Sequence, residues 1–291
     1  MTAEAVAAWH AAVAGPLGVE SGEWLNDQLA RRGLMFGARP LCTVVRPRFL
    51  RMAGYREMID RVGILLGAFA TALRAALEQP SILAQFRLEP WEQELALADP
   101  GIEPSPLSRL DAFYAPEAGV LRFTEYNAET PAGSAYNDAL TELFLALPVM
   151  SEFRKHFTVT PLPVRHQVLH SLVRAHRRLT GSRDRPVIGI LDWSDVPTRS
   201  EFLLFQDYFR SMGFECVIAD PAETELRDGA LFAAGNRIDV IYKRVLINEL
   251  IERCGLDHPT VEAVRSRAVC MVNPFRCKIL HKKASLAVLS D

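Results

Sequence analysis

VIGILDW (187–193), SEFLLFQDYFRSMG (200–213), ECVIAD (215–220), IDVIYKR (238–244), INELIERCG (247–255) and AVCMVN (268–273) decide the fold. Short runs rich in Val and Ile alternate with longer runs whose apolar residues recur every three or four positions, the pattern of strands separated by helices. Strands so spaced are joined by right-handed crossovers into a largely parallel sheet covered on both faces. Ile188, Ile190, Val217, Val240 and Ile241 are therefore expected in the core. TELRDGALFAAG (224–235) interrupts the alternation and reads as a helix or turn. No GxGxxG follows a strand, and the chain contains no GxxxxGK[ST], GxSxG or HExxH. A Rossmann-like unit without the dinucleotide fingerprint is predicted, so its function must come from elsewhere.

Working outward, TGSRDRP (180–186) reads as a linker that opens this unit, and a helix is predicted over 163–179 before it. Residues 3–14, 23–32 and 55–77 read as helices, the last with Met58, Val62, Leu65, Leu66 and Phe69 on one face. Pro100, Pro104 and Pro106 exclude a helix where they stand. Beyond them SRLDAFY (108–114) and VLRFTEYN (120–127), separated by APEAG, have the make-up of a β-hairpin, and 137–147 reads as a helix behind it. The predicted fold class is α/β, or α+β over the whole chain. Its expected parts are a mainly helical region (1–107), a hairpin layer with helices (108–184), the Rossmann-like unit (185–272) and a short final segment (273–291).

Among 291 residues, 33 Lys and Arg stand against 35 Asp and Glu, a net charge of −2. With a pI of about 6.4 the chain has no global basic field to hold nucleic acid or acidic lipid, and neither partner is expected. The arginines between Arg165 and Arg185 read as a solvated helix face. Five scattered cysteines without a CxxC suggest neither a disulfide framework nor a thiolate zinc site, and fit a reducing compartment. Val62 to Leu73, closed by Arg61 and Arg74, falls short of the ~20 apolar residues of a membrane span. MTAEAVAAWHAAVAG (1–15) lacks a basic leader and a sustained apolar core, so no cleaved signal peptide is expected and a cytoplasmic location is.

The richest chemistry lies on the hairpin. If Tyr114 pairs with Val120, Asp111 faces Phe123 and Arg109 faces Glu125, and the two-residue period puts Arg109, Asp111, Glu125 and Asn127 on one face. Hard oxygen donors with positions left for water and phosphate oxygens suit Mg²⁺, and a guanidinium can neutralise a transferring phosphoryl group. The same four residues also make an ordinary cross-strand ion pair on a solvated sheet. His166 and His170, one helical turn apart, lack a third ligand. Asp192 and Asp195 stand at the carboxyl end of a parallel strand, where open α/β sheets bind ligands, and serve equally well as caps of the next helix.

FTEYNAETPAG (123–133), preceded by Arg109-Leu110-Asp111, resembles the circularly permuted ATP-grasp ligases, the group that includes glutathionylspermidine synthase. The resemblance implies that Asp111, Glu125 and Asn127 bind Mg²⁺ and that Arg109 contacts the reacting phosphate of ATP. It extends through 191–221 and 238–246, which look like the family's pre-ATP-grasp subdomain, with Glu201 on its acidic helix and Lys243-Arg244 as its basic pair. MVNPFRCKILHKKASLAVL (271–289) is similar to the entry into the nucleotide-clamping lobe, with Lys283, beside Lys282, as the match for a phosphate-contacting lysine. Residues 1–107 are only loosely alike. The implied activity joins a small-molecule carboxylate to an amine through an acyl phosphate. The sequence stops where the family's adenine-enclosing strands follow, so a shortened chain without turnover of its own is expected. The alternative is a non-catalytic α/β module that binds a small ligand or partner.

Overall fold

A computed structural model describes residues 2–290. Helices α1 (Thr2–Val13) and α2 (Pro16–Arg31) open the chain, the second with proline in its first turn, where no backbone N–H is needed. A two-residue ladder, β1 (Met35–Phe36) with β2 (Arg39–Pro40), precedes α3 (Met52–Glu78), α4 (Pro80–Leu83) and α5 (Pro90–Leu97). The antiparallel hairpin is β3 (Arg109–Ala115) and β4 (Val120–Asn127), joined by a 3-10 turn over Pro116–Ala118. Then come α6 (Ser134–Ala146), α7 (Pro148–Phe153) and α8 (Arg165–Thr180). The remainder runs β5 (Ile188–Leu191), α9 (Arg199–Ser211), β6 (Cys216–Ala219), β7 (Thr224–Arg227), β8 (Ala230–Ala233), β9 (Asn236–Ile238), β10 (Val240–Lys243), α10 (Ile247–Cys254), α11 (Pro259–Arg265), β11 (Cys270–Val272), α12 (Cys277–His281) and α13 (Ala284–Val288). Among the described residues no single helix is long and apolar enough to cross a membrane.

The chain forms two compact units, each assembled from separate segments. The first contains Met1–Ile59, Gly133–His166 and Pro197–Phe205. Its core gathers Trp9, Leu25, Leu29, Leu143 and Phe153, with the Trp9 ring edge-on to Phe153 at 5.2 Å. Helix α6 begins after Gly133, which has no side chain to cap it. Glu201 fills that role, accepting from Gly133 N at 2.8 Å and Ala135 N at 3.1 Å, so a fully buried carboxylate satisfies the helix's first amides.

The second unit contains Asp60–Ala132, Gln167–Val196 and Gln206–Asp291. It is built on a wholly parallel sheet of order β11-β10-β5-β6, as the strand and helix periods require. Ile188, Ile190, Val240 and Ile241 are fully buried. Val217 is only half-buried, because β6 is the sheet's edge and one flank lacks a neighbouring strand. Gly189 is required in β5: a Cβ there would meet Ile238 Cγ2 at 2.9 Å.

The 224–235 segment departs from the expected helix or turn. It forms an antiparallel meander, β7-β8-β9, with Asp228-Gly229 and Ala234-Gly235 at its corners, all four at positive φ. Two consecutive positive φ values make a type I′ turn, whose twist matches that of the flanking strands. The turn geometry outweighs the helix preference of ALFAA.

Candidate functional site

Strand pairing in the hairpin sets the geometry of its charged face. Arg109 lies opposite Asn127, Leu110 opposite Tyr126 and Asp111 opposite Glu125. The register then shifts, so that Ala112 faces Phe123 and Tyr114 faces Leu121. Thr124 is the extra residue, a β-bulge whose hydroxyl donates to the Asp111 carbonyl at 3.1 Å. The pairs therefore differ from the expected Asp111–Phe123 and Arg109–Glu125. Extended from the turn without the bulge, the register would set Thr124 against Asp111 and send Glu125 to the other face. One inserted residue brings Arg109, Asp111, Glu125 and Asn127 together on a single face.

Within that face Arg109 grips Asp111 in a two-pronged ion pair, Nε to Oδ1 at 2.6 Å and Nη2 to Oδ2 at 3.1 Å. Its Nη1 donates to Ala132 O at 3.0 Å, tying the hairpin to the loop that follows. The hydrogen bond to Asp111 raises the guanidinium's pKa; burial opposes this, and the charges of Asp111 and Glu125 add to it. Asn127 Oδ1 is buried without a hydrogen-bond partner. An acceptor left in that state favours a donor or cation that completes it. Asp111, Glu125 and Asn127 thus offer oxygen donors only, which fits Mg²⁺. Among the described residues no group of three or more His, Cys, Asp and Glu could hold a metal ion, and this face combines two carboxylates with an amide. On the opposite side of the hairpin Tyr126 packs on Phe69 with ring centroids 4.3 Å apart.

A second cluster of charge lies just past β4 and is buried. Glu129, with no exposed surface, meets Lys278 Nζ at 3.1 Å, Lys243 Nζ at 3.6 Å and His281 Nε2 at 3.6 Å, and accepts from Ile247 N at 2.6 Å. Burial pushes its pKa up, but Lys243, Lys278 and the Ile247 amide outweigh burial and hold it near 2. Burial likewise lowers the pKa of His281, against the pull of Glu129. Glu92 pairs with Lys282 at 2.6 Å and Lys278 at 3.6 Å, and closes a capping box with Glu89 at the start of α5. Lys278 also bonds Asn248 Oδ1.

This cluster is largely unmarked in the sequence. Lys243 is marked there as half of a basic pair, while Glu129, Glu92 and Lys278 carry no individual signal. Glu129 lies within EYNAETP, which was its one available signal. Lys283 is exposed at the start of α13, and it is Lys278 and Lys282 that turn toward carboxylates.

The parallel sheet adds a third arrangement. From β5 the chain moves to β6 on one side and returns to β10 on the other, so the strand order reverses between β5 and β10. Asp192 follows β5 and Arg244 follows β10, both buried. Asp192 Oδ1 accepts from Trp193 N at 2.9 Å, and burial drives its pKa up to about 6 against that bond and the charge of Arg244. Arg244 donates to Pro131 O at 2.5 Å, next to the carbonyl that Arg109 holds. Asp195 is exposed.

No protein-family model matches the chain, and no curated protein matches it. Among solved structures it is similar to the apo form of a glutathione synthetase-like effector from Globodera pallida, with a TM-score of 0.60 at 13% identity. The match covers 94% of this chain and 65% of that one. The chain has a glutathione synthetase-like mixed α/β fold, and it spans just under two thirds of the length of the structure it matches.

Proposed function

We propose that the chain belongs to an ATP- and Mg²⁺-dependent carboxylate–amine ligase of the circularly permuted ATP-grasp type. The observation that carries this reading is the convergence of Arg109, Asp111, Glu125 and Asn127 on one hairpin face, with the Asn127 oxygen buried and unpartnered. The glutathione synthetase-like fold is consistent with it. Asp111, Glu125 and Asn127 would hold the ion. Bound there, Mg²⁺ would offset negative charge on the phosphates of ATP while a phosphoryl group passes to a substrate carboxylate. An amine would then attack the acyl carbon, forming the C–N bond as the C–O bond breaks and releasing inorganic phosphate and a proton.

The chain's own residues prepare this. Arg109 locks the Asp111 carboxylate in one orientation through two hydrogen bonds, so the carboxylate costs little further ordering when an ion arrives. Three of the five guanidinium N–H groups are used, by Asp111 and Ala132, and the other two can meet a phosphate oxygen. A guanidinium stays charged across the working pH range, so that positive charge is always in place. Lys283, exposed beside the buried lysines, is the group suited to nucleotide phosphate.

A second reading, a non-catalytic module that binds a small ligand, draws on the buried Asp192 and Arg244 at the strand-order reversal, the place where open α/β sheets take ligands. Calorimetric titration of the chain with ATP, with and without Mg²⁺, separates the two. The ligase reading expects binding that requires Mg²⁺ and is abolished in Glu125→Gln. Nucleotide binding indifferent to Mg²⁺ and to that substitution, or none, would sink it.

A further inference from the structure

The hairpin is a two-stranded ladder, and at its open end nothing in the ladder itself holds the strands together beyond Arg109 and Asn127. An isolated pair of strands is marginal in water and frays from such an end. Two side chains from outside the ladder sit there. Asn273, 2% exposed and next after β11, accepts from Leu107 N at 3.0 Å through Oδ1. Its amide nitrogen, with two N–H groups, reaches three carbonyls, Leu107 O at 2.6 Å, Ala128 O at 2.8 Å and Glu129 O at 3.1 Å, so one N–H is shared. The Ser105 hydroxyl stands within 3.0 Å of Leu107 O and 2.9 Å of Ala128 O. Leu107 lies two residues before Arg109 and Ala128 one residue after Asn127, so both side chains bridge the two strands just beyond the Arg109–Asn127 pair.

We infer that Asn273 is a positioning residue, which with Ser105 replaces the missing ladder rungs and fixes the register of the Arg109–Asn127 end of the charged face. An amide is the one side-chain group able to satisfy the backbone N–H and C=O of Leu107 together while still donating to the opposite strand. Aspartate would put oxygen against three carbonyls, and alanine would orphan buried backbone groups of both strands. The clamp comes from the segment after the parallel sheet, so the sheet itself sets the spacing of the hairpin residues. Its role in metal binding rests on the ligase reading; its role in hairpin register does not.

The test is hydrogen exchange by mass spectrometry or NMR on Asn273→Ala and the milder Ser105→Ala, beside Leu231→Ala as a destabilising control in the β7-β8-β9 meander. Leu231 is fully buried there. Both clamp variants should lose protection at least tenfold at 109–111 and 125–127 and keep it at 188–191 and 240–243. Asn273→Ala should show the larger loss, and Leu231→Ala should spare the hairpin end. Loss spread evenly over the second unit, or none in Ser105→Ala should Asn273→Ala fail to fold, overturns the inference. Mn²⁺ binding followed by EPR on the same samples should weaken at least tenfold in Asn273→Ala or, should that variant fail to fold, several-fold in Ser105→Ala, and stay within twofold in Leu231→Ala. A wild-type chain that binds no Mn²⁺ rejects the ligase reading, while the exchange pattern still decides the clamp.

Discussion

Glu125 and Glu129 stand four residues apart in EYNAETP, yet their surroundings are of opposite kinds. Glu125 sits half-exposed on the hairpin face, across from Asp111, with a second carboxylate and an amide oxygen for company. Glu129 is wholly buried and meets Lys243, Lys278, His281 and a backbone amide. Under the proposed function a face of acceptors would serve a cation, whereas a carboxylate whose acceptor positions are already taken holds the structure together. Residue type does not distinguish the two, and the partner set does.

The largest effect expected of any change in this comparison is at Glu129. Glu129→Ala removes the counter-charge of two buried ammonium groups, and breaking a buried pair from one side costs about 3–5 kcal/mol. Urea unfolding monitored by circular dichroism measures it. A loss below about 1 kcal/mol would mean that water reaches Lys243 and Lys278, and the contrast with Glu125 would collapse.

Asp192 gives a buried carboxylate without enough compensation. Its pKa rises from 3.8 to about 6, so between those values the folded chain holds a proton that the unfolded chain has lost. Stability therefore falls as pH rises from about 4 to about 6, by on the order of 2–3 kcal/mol from this group, and the loss persists above. Glu249 adds to that penalty, while Arg244, Lys243 and the Trp193 amide reduce it. Asp192→Asn should remove this slope and unfold at higher urea than wild type at pH 7.5. Parallel stability–pH profiles for the two proteins would show that Asp192 ionises normally.

Much of this fold is legible in the sequence alone. The parallel sheet could be read because strand and helix periods alternate over 185–272, and the hairpin could be read because β-formers flank a Gly-containing loop. The meander is obscured by ALFAA, which favours helix locally, although DG and AG flanked by arms of three or four residues carry the turn signal. The Thr124 bulge leaves no mark in composition, since one extra residue alters pairing without altering pattern. Glu129 could not be weighed because its principal partner, Lys278, is 149 residues away. The two compact units are likewise built from segments far apart in sequence, which no linear reading of boundaries expresses.

Glu125→Gln sharpens the contrast from the other side. A half-exposed carboxylate with no buried partner should cost within about 0.5 kcal/mol of stability when its charge is removed. Under the proposed function the same change abolishes Mg²⁺-dependent ATP binding, because the side chain keeps its size but loses the charge that holds the cation. Arg109→Ala should weaken it too, by freeing Asp111 from its fixed orientation. Loss of stability comparable to that in Glu129→Ala would make Glu125 a structural residue and end the distinction.

The smallest structural effect is expected at Lys283, and it resolves the three neighbouring lysines of the final helices. Lys278 and Lys282 are committed to Glu129 and Glu92, so alanine at either should lower stability by about 1–3 kcal/mol. Lys283 is exposed, and Lys283→Ala should leave the unfolding midpoint unchanged within about 0.5 kcal/mol. If Lys283 meets nucleotide phosphate, the variant should nevertheless bind Mg²⁺·ATP several-fold more weakly, and the deficit should shrink at high salt, because a solvated charge pair is screened over roughly 10 Å at 0.1 M ionic strength. Stability and affinity would then separate across adjacent lysines as they do across Glu129 and Glu125. Wild-type affinity in Lys283→Ala would remove Lys283 from the nucleotide site and leave the hairpin face as the sole ground for the ligase reading.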